Sequence, residues 1–396
     1  MFERALVAEI VARMQEPREF MQILVGPRQT GKSTAIGQVL NSLDIPYHLI
    51  AADDYSLNTE EWFASEWRKA RMLASSEAQG ALFVVDEVQK LPHWAAVAKK
   101  MWDEDTRSNV PVKVLLTGSS SLLIQRGMED SLMGRFEVLY SMHWSFSECR
   151  DAFGYSLDDF LFFGGYPGAA KRKGDPIRWA RYMQTSIVEP TISQDILQME
   201  RIEKPALLKS LFVMGSSYSA QEVSYTKIMG QLQDAGNTVT IAHYLDLLSK
   251  AGMLSGLQKY ALDAARIRRS SPRLMIHDTS LMTYPYGSNK NTVLADPEKR
   301  GHLIESAVGA YLIERSVEEG FEVFWWRTSK GEEVDFVIKK ASMLTAIEVK
   351  SGRIKGTKGV REFLKRSPHA SSLVVGSTEC SLEDFLLGKI PLFVTV

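Results

Sequence analysis

The stretch Met21–Ser33 reads MQILVGPRQTGKS, an apolar run followed directly by an octapeptide of the pattern GxxxxGK[ST]. The apolar run predicts a buried strand, and the residues after Ser33 follow an apolar periodicity typical of a helix. The glycines allow successive backbone N–H groups to point inward, where they can cradle phosphates. Lys32 is expected to reach the β and γ phosphates of a nucleoside triphosphate, and the Ser33 hydroxyl to ligate Mg²⁺. The predicted phosphate-binding residues are Gly26, Pro27, Arg28, Gln29, Thr30, Gly31, Lys32, Ser33 and Thr34.

A second apolar run, Ala81–Val85, ends in two carboxylates, Asp86 and Glu87. This pattern is typical of a parallel strand that is buried on both faces and whose carboxyl end lies at the site. Asp86 is expected to hold Mg²⁺, usually through water, and Glu87 to polarise the water that attacks the γ-phosphate. The alternative is an ordinary strand followed by a solvated acidic turn.

Two further positions are candidates for sensing phosphate. A third apolar run, Val112–Leu116, leads into Thr117, Gly118 and Ser119. Ser119 could sense the γ-phosphate, but a serine before an apolar stretch is also a common helix N-cap. Arg135 could stabilise phosphate charge in cis or across a subunit interface, and the alternative is a surface arginine.

Composition limits the class of protein. The chain has 396 residues and a net charge of −1, so a length prior favours two to four domains and no global basic field argues for nucleic acid. No apolar stretch approaches the ~18 residues of a membrane span, and charged residues near the amino terminus argue against a secretion signal. We therefore expect a cytoplasmic protein with no membrane contact. Cys149 and Cys380 have no metal-ligand spacing and are expected to be reduced.

Basic residues cluster locally, and each cluster is either a nucleic-acid contact or a solvated face. The clusters are Lys171–Lys173, then Arg266 with Arg268, Arg269 and Arg273, then Lys350, Arg353, Lys355, Lys358, Arg361, Lys365 and Arg366.

The order of patterns predicts an α/β protein with several domains. Strands at 21–25, 47–50, 81–85 and 112–116, separated by helical patterns, indicate a doubly wound parallel sheet of the P-loop NTPase type in residues 1–150. Residues 151–203 look like a helical connector, with Gly164-Gly165-Tyr166-Pro167 requiring a tight turn. Three helical patterns and a hairpin predict a winged helix in residues 204–290. Its third helix would present Thr240, His243 and Tyr244 to a DNA groove, or the module would pack against the ATPase or a partner.

Residues 291–396 contain an acidic constellation. A turn centred on Ala341-Ser342 would place Asp335 opposite Glu348 on a neighbouring strand, with Glu348 and Lys350 on one face. Two carboxylates can hold Mg²⁺, Lys350 can orient a water, and Glu305 can supply a further oxygen from the preceding helix. This D…E-x-K arrangement suits phosphodiester hydrolysis. Alternating charge on an exposed strand produces the same triplet, although the surrounding apolar residues argue for buried strands.

These motifs together resemble the bacterial and archaeal AAA-type ATPases that carry a fused C-terminal domain of unknown function with a restriction-endonuclease-like fold. The matching segments are Gly26–Ser33, Val85–Leu91, Thr117–Ser120, Gly134-Arg135, Trp144–Glu148, Gly164–Pro167, Tyr244–Leu248, Trp326–Thr328, Glu333–Phe336 and Glu348–Ser351. The resemblance implies ATP binding, ATP hydrolysis, a central winged helix and a nuclease-like end.

Two classes of function follow. In the first, an ATP-hydrolysing protein engages nucleic acid through its C-terminal domain, with or without cutting it. In the second, a signalling or scaffold ATPase uses an inert nuclease-like domain to bind protein, either another protein or a further copy of this chain.

Overall fold

The computed structural model describes residues 2–52, 59–77, 79–118, 132–199, 202–232, 236–261, 271–287, 289–352 and 357–393. The chain forms two compact units, Met1–Met142 and His143–Val396.

The first unit is built on the predicted parallel sheet. Its strands are β1 (Met21–Val25), β2 (Tyr47–Ala51), β3 (Ala81–Asp86), β4 (Val112–Gly118) and β5 (Phe136–Tyr140), in the spatial order β2-β3-β4-β1-β5. Every adjacent pair is parallel, which confirms the doubly wound prediction. The strand β5 was missed, because Phe136-Glu137-Val138 alternates where the other strands are continuously apolar.

Helices cover both faces of this sheet, as the crossover connections of parallel strands require. They are α1 (Ala5–Gln15), α2 (Lys32–Ser42), α3 (Glu60–Ser75) and α4 (Trp94–Arg107). One face packs Leu24, Leu82 and Leu115 under α1 and α2. The other packs Phe83 and Val114 with residues of α3 and α4, including the fully buried Trp67.

The second unit begins with short helices. They lie at Phe146–Phe153, Leu157–Phe163, Pro167–Ala170, Pro176–Tyr182 and Ile196–Met199, with π-helical turns at Met183–Val188 and Thr191–Asp195. The predicted three helices follow at Pro205–Ser217, Tyr225–Gln231 and Thr238–Lys250, and the antiparallel strands β6 (Leu254–Leu257) and β7 (Arg273–Ile276) come after them.

The helix Thr238–Lys250 does not present all of its proposed recognition residues. His243 is exposed and Thr240 is half-buried. Tyr244 is 3% exposed, and its hydroxyl accepts a hydrogen bond from the Lys204 backbone N–H at 3.2 Å. The proposed role of Tyr244 at a DNA groove was therefore wrong, because the i, i+3, i+4 positions that carry it form the apolar face of the helix.

The C-terminal part of this unit contains a four-stranded sheet with the order β11-β10-β9-β8. Its strands are β8 (Glu322–Arg327), β9 (Glu333–Lys340), β10 (Met343–Val349) and β11 (Ser371–Val375), and helices lie at Ser280–Thr283, Lys290–Ala295, Pro297–Glu319, Lys358–Arg366 and Leu382–Leu386. Lys340 pairs with Met343 across Ala341-Ser342, which confirms the predicted hairpin and its register.

The glycine pair Gly164-Gly165 has a clear structural reason. Gly164 has φ +66°, and a Cβ there would overlap the Asp278 carboxylate. Asp278 is 4% exposed and accepts hydrogen bonds from the Gly165 N–H at 2.5 Å and the Ser280 N–H at 2.9 Å, together with the Ser280 hydroxyl. The acidic turn His277-Asp278-Thr279 thus fixes the glycine turn to the end of β7.

Among the helices that the structure describes, none is both long and apolar enough to cross a membrane.

We expect Asp278→Ala to destabilise the second unit by about 2–4 kcal/mol, because it leaves several buried donors without an acceptor. Urea unfolding followed by tryptophan fluorescence would measure the loss. The matched control is Asp151→Ala, which removes an exposed carboxylate paired with Arg150. That substitution should lower the free energy of unfolding by less than about 1 kcal/mol. Equal losses in the two variants would contradict the assigned role of Asp278.

Candidate functional site

The loop between β1 and α2 has the backbone that the octapeptide predicts. Gly31 caps α2 with φ +94°, in the left-handed region that favours glycine. A Cβ on Gly26 would collide with the backbone carbonyl of Ser141, and the Ser141 N–H donates to the Val25 carbonyl at the end of β1 at 2.7 Å. Gly31 is therefore required by its backbone conformation, and Gly26 by the close approach of the Ser141 carbonyl.

Lys32 lies folded into this loop. Its side chain is buried, and Nζ donates to the carbonyl oxygens of Gly26 at 2.8 Å and Pro27 at 2.7 Å. The Thr30 hydroxyl donates to the same Pro27 carbonyl at 3.0 Å. The loop thus surrounds one cation with oxygen acceptors, at the position where a phosphate would approach.

Asp86 joins the ends of two strands to the loop. Its Oδ2 accepts from the Ser33 hydroxyl at 2.8 Å, and its Oδ1 accepts from the Thr117 hydroxyl and from the Glu87 N–H at 3.1 Å. Three segments that sequence analysis placed at one edge of the sheet therefore meet there. The hydroxyl and carboxylate oxygens of Ser33 and Asp86 are hard donors of the kind that Mg²⁺ prefers, so these residues fit that ion.

Glu87 lies beside Asp86 in an unusual backbone conformation, with φ +56°. Its Oε2 accepts a hydrogen bond of 2.6 Å from the side-chain amide of Gln89. Both carboxylates and Lys90 border a cleft of about 320 Å³ whose remaining lining is the loop from Arg28 and Gln29 to Gly31–Thr34. Sequence reasoning did not single out Gln89 or Lys90.

Arg135 does not join this cleft. Its guanidinium pairs with Asp103, with Nε to Oδ1 at 2.7 Å and Nη2 to Oδ2 at 3.1 Å. The Arg135 carbonyl accepts a hydrogen bond from the Met21 N–H, at the amino end of β1. The loop begins at the other end of β1, about 16 Å from Met21 at a rise of about 3.3 Å per residue. The proposed cis role is therefore corrected, while a role across a subunit interface stays a prediction. Ser119 lies outside the described residues.

The C-terminal acidic residues do come together, but around an arginine. Arg273 is 4% exposed, and its guanidinium donates to Glu333 Oε1 at 3.1 Å, Glu305 Oε2 at 3.4 Å and Asp335 Oδ1 at 3.4 Å. It also donates to the carbonyls of Asp335 at 3.1 Å and Ala220 at 2.9 Å. Sequence analysis grouped Arg273 with a basic cluster, although the apolar Leu274-Met275-Ile276 after it signalled a buried strand.

The remaining members of the constellation are also bonded within the protein. Asp335 Oδ2 accepts from the Val349 N–H at 2.8 Å, and Lys350 Nζ donates to Glu348 Oε1 at 2.5 Å. Glu348 Oε2 is buried without a hydrogen-bond donor among the described residues. Burial raises the pKa of Glu305 to about 7, and the nearby Asp335 carboxylate contributes to this shift. The same two causes raise the pKa of Glu348.

This cluster does not fit Mg²⁺ in the observed arrangement. The Arg273 guanidinium lies where a shared ion would have to bind Glu305 and Asp335. Among the described residues, no group of three or more histidine, cysteine or acidic side chains has a metal-binding arrangement. The predicted metal-ligand set Glu305, Asp335 and Glu348 is thus brought together, but its positive partners are Arg273 and Lys350.

Comparisons with known proteins match three successive stretches of the chain. Residues 18–150 match the family model of an AAA domain, and residues 154–292 and 300–390 match two models of domains of unknown function. An uncharacterized protein of Mycobacterium tuberculosis is 26% identical over 330 residues, which are 83% of this chain and 69% of its own length. An uncharacterized protein of Haemophilus influenzae is 22% identical over 353 residues, 84% of this chain and 82% of its own.

Among solved structures, a Walker-type ATPase of Pyrococcus abyssi is similar, with a TM-score of 0.46 and 15% identity, over 72% of this chain and 95% of that one. The AAA-domain match supports ATP binding by the first unit. The matches to the later residues assign them no activity.

We expect Arg273→Met to destabilise the second unit by about 3–5 kcal/mol, because it leaves three half-buried carboxylates and two backbone carbonyls without their buried cation. Chemical denaturation would measure the loss. Arg150→Met is the matched control, since Arg150 pairs with Asp151 at the surface of the same unit, and its removal should cost no more than about 1 kcal/mol. A native-like stability of Arg273→Met would show that the cluster does not depend on this guanidinium.

Proposed function

We propose that the first unit binds ATP and hydrolyses it. The observation that carries this proposal is the junction at Asp86, whose carboxylate accepts from the Ser33 and Thr117 hydroxyls and borders the cleft that Lys32 and Glu87 also line. The AAA-domain match over residues 18–150 supports the same conclusion.

The chain's own groups have distinct parts in this proposal. Loop N–H groups and Lys32 bind the phosphates, and Lys32 exchanges its bonds to the Gly26 and Pro27 carbonyls for phosphate oxygens. Ser33 and Asp86 are the residues that would hold Mg²⁺, which neutralises charge on the phosphates when bound. Glu87 orients the attacking water and accepts its proton.

We expect Glu87→Gln to bind ATP with native affinity and to lower kcat by at least about 100-fold, because the amide keeps the size of the side chain but accepts protons poorly. Isothermal titration calorimetry and phosphate release would measure the two quantities. Glu77→Gln makes the same chemical change at an exposed position away from the cleft and should retain native turnover. Undiminished hydrolysis by Glu87→Gln would remove Glu87 from this role.

For the second unit we propose a winged helix followed by a restriction-endonuclease-like domain. The support for the first is the order of three helices and an antiparallel strand pair between Pro205 and Ile276. The support for the second is the long helix Pro297–Glu319 followed by the hairpin β9–β10, which brings Glu305, Asp335 and Glu348 to one place.

We further propose that this domain binds a partner and does not cut nucleic acid. The specific observation is Arg273, whose guanidinium pairs with Glu305 and Asp335, two of the three carboxylates that a nuclease would use for a metal. An ATPase switch whose second unit recognises a protein therefore suits the geometry better than a nuclease does.

We expect no cleavage of linear, circular or single-stranded DNA by the native protein with Mg²⁺ or Mn²⁺, as judged on gels, because Arg273 excludes the ion from its ligands. Cleavage that disappears in Glu348→Ala or Lys350→Ala would contradict this and establish a nuclease. Retention of DNA without cleavage, with an affinity that falls steeply with salt, would indicate a nucleic-acid partner instead of a protein.

A further inference from the structure

Gln89 lies two residues after Glu87, which borders the cleft, and its side-chain amide contacts the Glu87 carboxylate. Its Nε2 donates to Glu87 Oε2 at 2.6 Å, at the short end of the range for an amide and a carboxylate. We propose that Gln89 is a positioning residue for ATP hydrolysis, which holds the Glu87 carboxylate in the orientation that accepts a proton from the attacking water. This inference rests on the hydrolytic role of Glu87 proposed above.

The element that carries Gln89 is rigidly anchored. Val88–Lys90 form a single 3₁₀ turn, closed by backbone bonds from Lys90 N to Glu87 O and from Leu91 N to Val88 O, both 3.0 Å. On either side of Gln89, Val88 is fully buried and Leu91 is 3% exposed, both in the core beneath β3. The amide is therefore presented to Glu87 from a turn whose position the core fixes.

The bond from Gln89 restricts the Glu87 side chain. That side chain has three rotatable bonds, and a hydrogen bond to its carboxylate reduces the number of orientations that it samples. Its backbone, with φ +56°, already directs the side chain in a way that an ordinary strand end would not. A carboxylate accepts several hydrogen bonds, so a donor on Oε2 uses only part of the acceptor capacity of Glu87. The amide thus orients the base without blocking it.

The position and type of the residue favour this role over a purely structural one. Gln89 is half-buried, next to the exposed Lys90, and its side-chain amide contacts a residue that borders the cleft. A rotation that breaks the contact would cost little stability, while it would release the carboxylate from its orientation. Misplacement of a catalytic group by about 1 Å can cost on the order of 100-fold in rate.

The test uses the full chain with two substitutions at this position. Gln89→Leu removes the donor at similar volume, and Gln89→Glu keeps the shape but replaces the donor with a repelling carboxylate. We expect kcat for ATP to fall about tenfold in Gln89→Leu and further in Gln89→Glu, with the ATP dissociation constant within about twofold of native. Gln79→Glu, an exposed change of the same kind in the first unit, should retain native kcat.

Each outcome distinguishes the two proposals. Native kcat in both Gln89 variants, combined with loss of turnover in Glu87→Gln, would overturn the role of Gln89 and leave the hydrolysis mechanism intact. A faster kcat would also overturn it, since the amide would then be restraining the base. Undiminished turnover in Glu87→Gln would instead overturn the mechanism, whatever Gln89 does. A parallel fall in kcat and in melting temperature would identify a structural role and equally reject the proposal.

Discussion

The hydrogen bonds to one carboxylate, Asp86, hold the nucleotide site together. A parallel sheet brings the carboxyl ends of β1, β3 and β4 to the same edge, but strand pairing alone does not fix the loops beyond those ends. Asp86 does so, because it accepts from Ser33 at the start of α2 and from Thr117 at the end of β4. The loop that carries Lys32 is thereby fixed relative to Glu87, so the chemistry of the cleft depends on this junction.

Sequence patterns were sufficient for this part of the structure. Continuous apolar runs identified β1, β3 and β4, and the residues directly after each run became the site. Such a prediction works because a parallel strand buried on both faces has few alternatives and its carboxyl end has a fixed function in the fold. The same logic could not find Gln89, since its contact with Glu87 arises from a turn of three residues and leaves no periodic signal.

The second unit shows where sequence reasoning is limited. The hairpin β9–β10 was predicted with its register, because a turn at Ala341-Ser342 fixes which residues face each other. The need for a cation between Asp335 and Glu348 also followed from the sequence. The identity of the cations did not follow, since Lys350 pairs with Glu348, and Arg273, which lies far away in the chain, reaches Asp335 only through the folding of β7. A long-range pairing of this kind has no local pattern.

Each unit contains a buried cationic side chain, Lys32 in the first and Arg273 in the second, and the two differ in what surrounds the charge. Lys32 is compensated by two backbone carbonyls beside an open cleft, so an incoming phosphate can replace those partners without leaving a charge unpaired. Arg273 is compensated by carboxylates and carbonyls on every side and is almost fully buried, so a metal could replace it only if β7 moved. In the first unit, Lys32 can therefore exchange its carbonyl partners for a phosphate. In the second unit, the ion pairs of Arg273 connect β7 to the strand and the helix that carry the carboxylates.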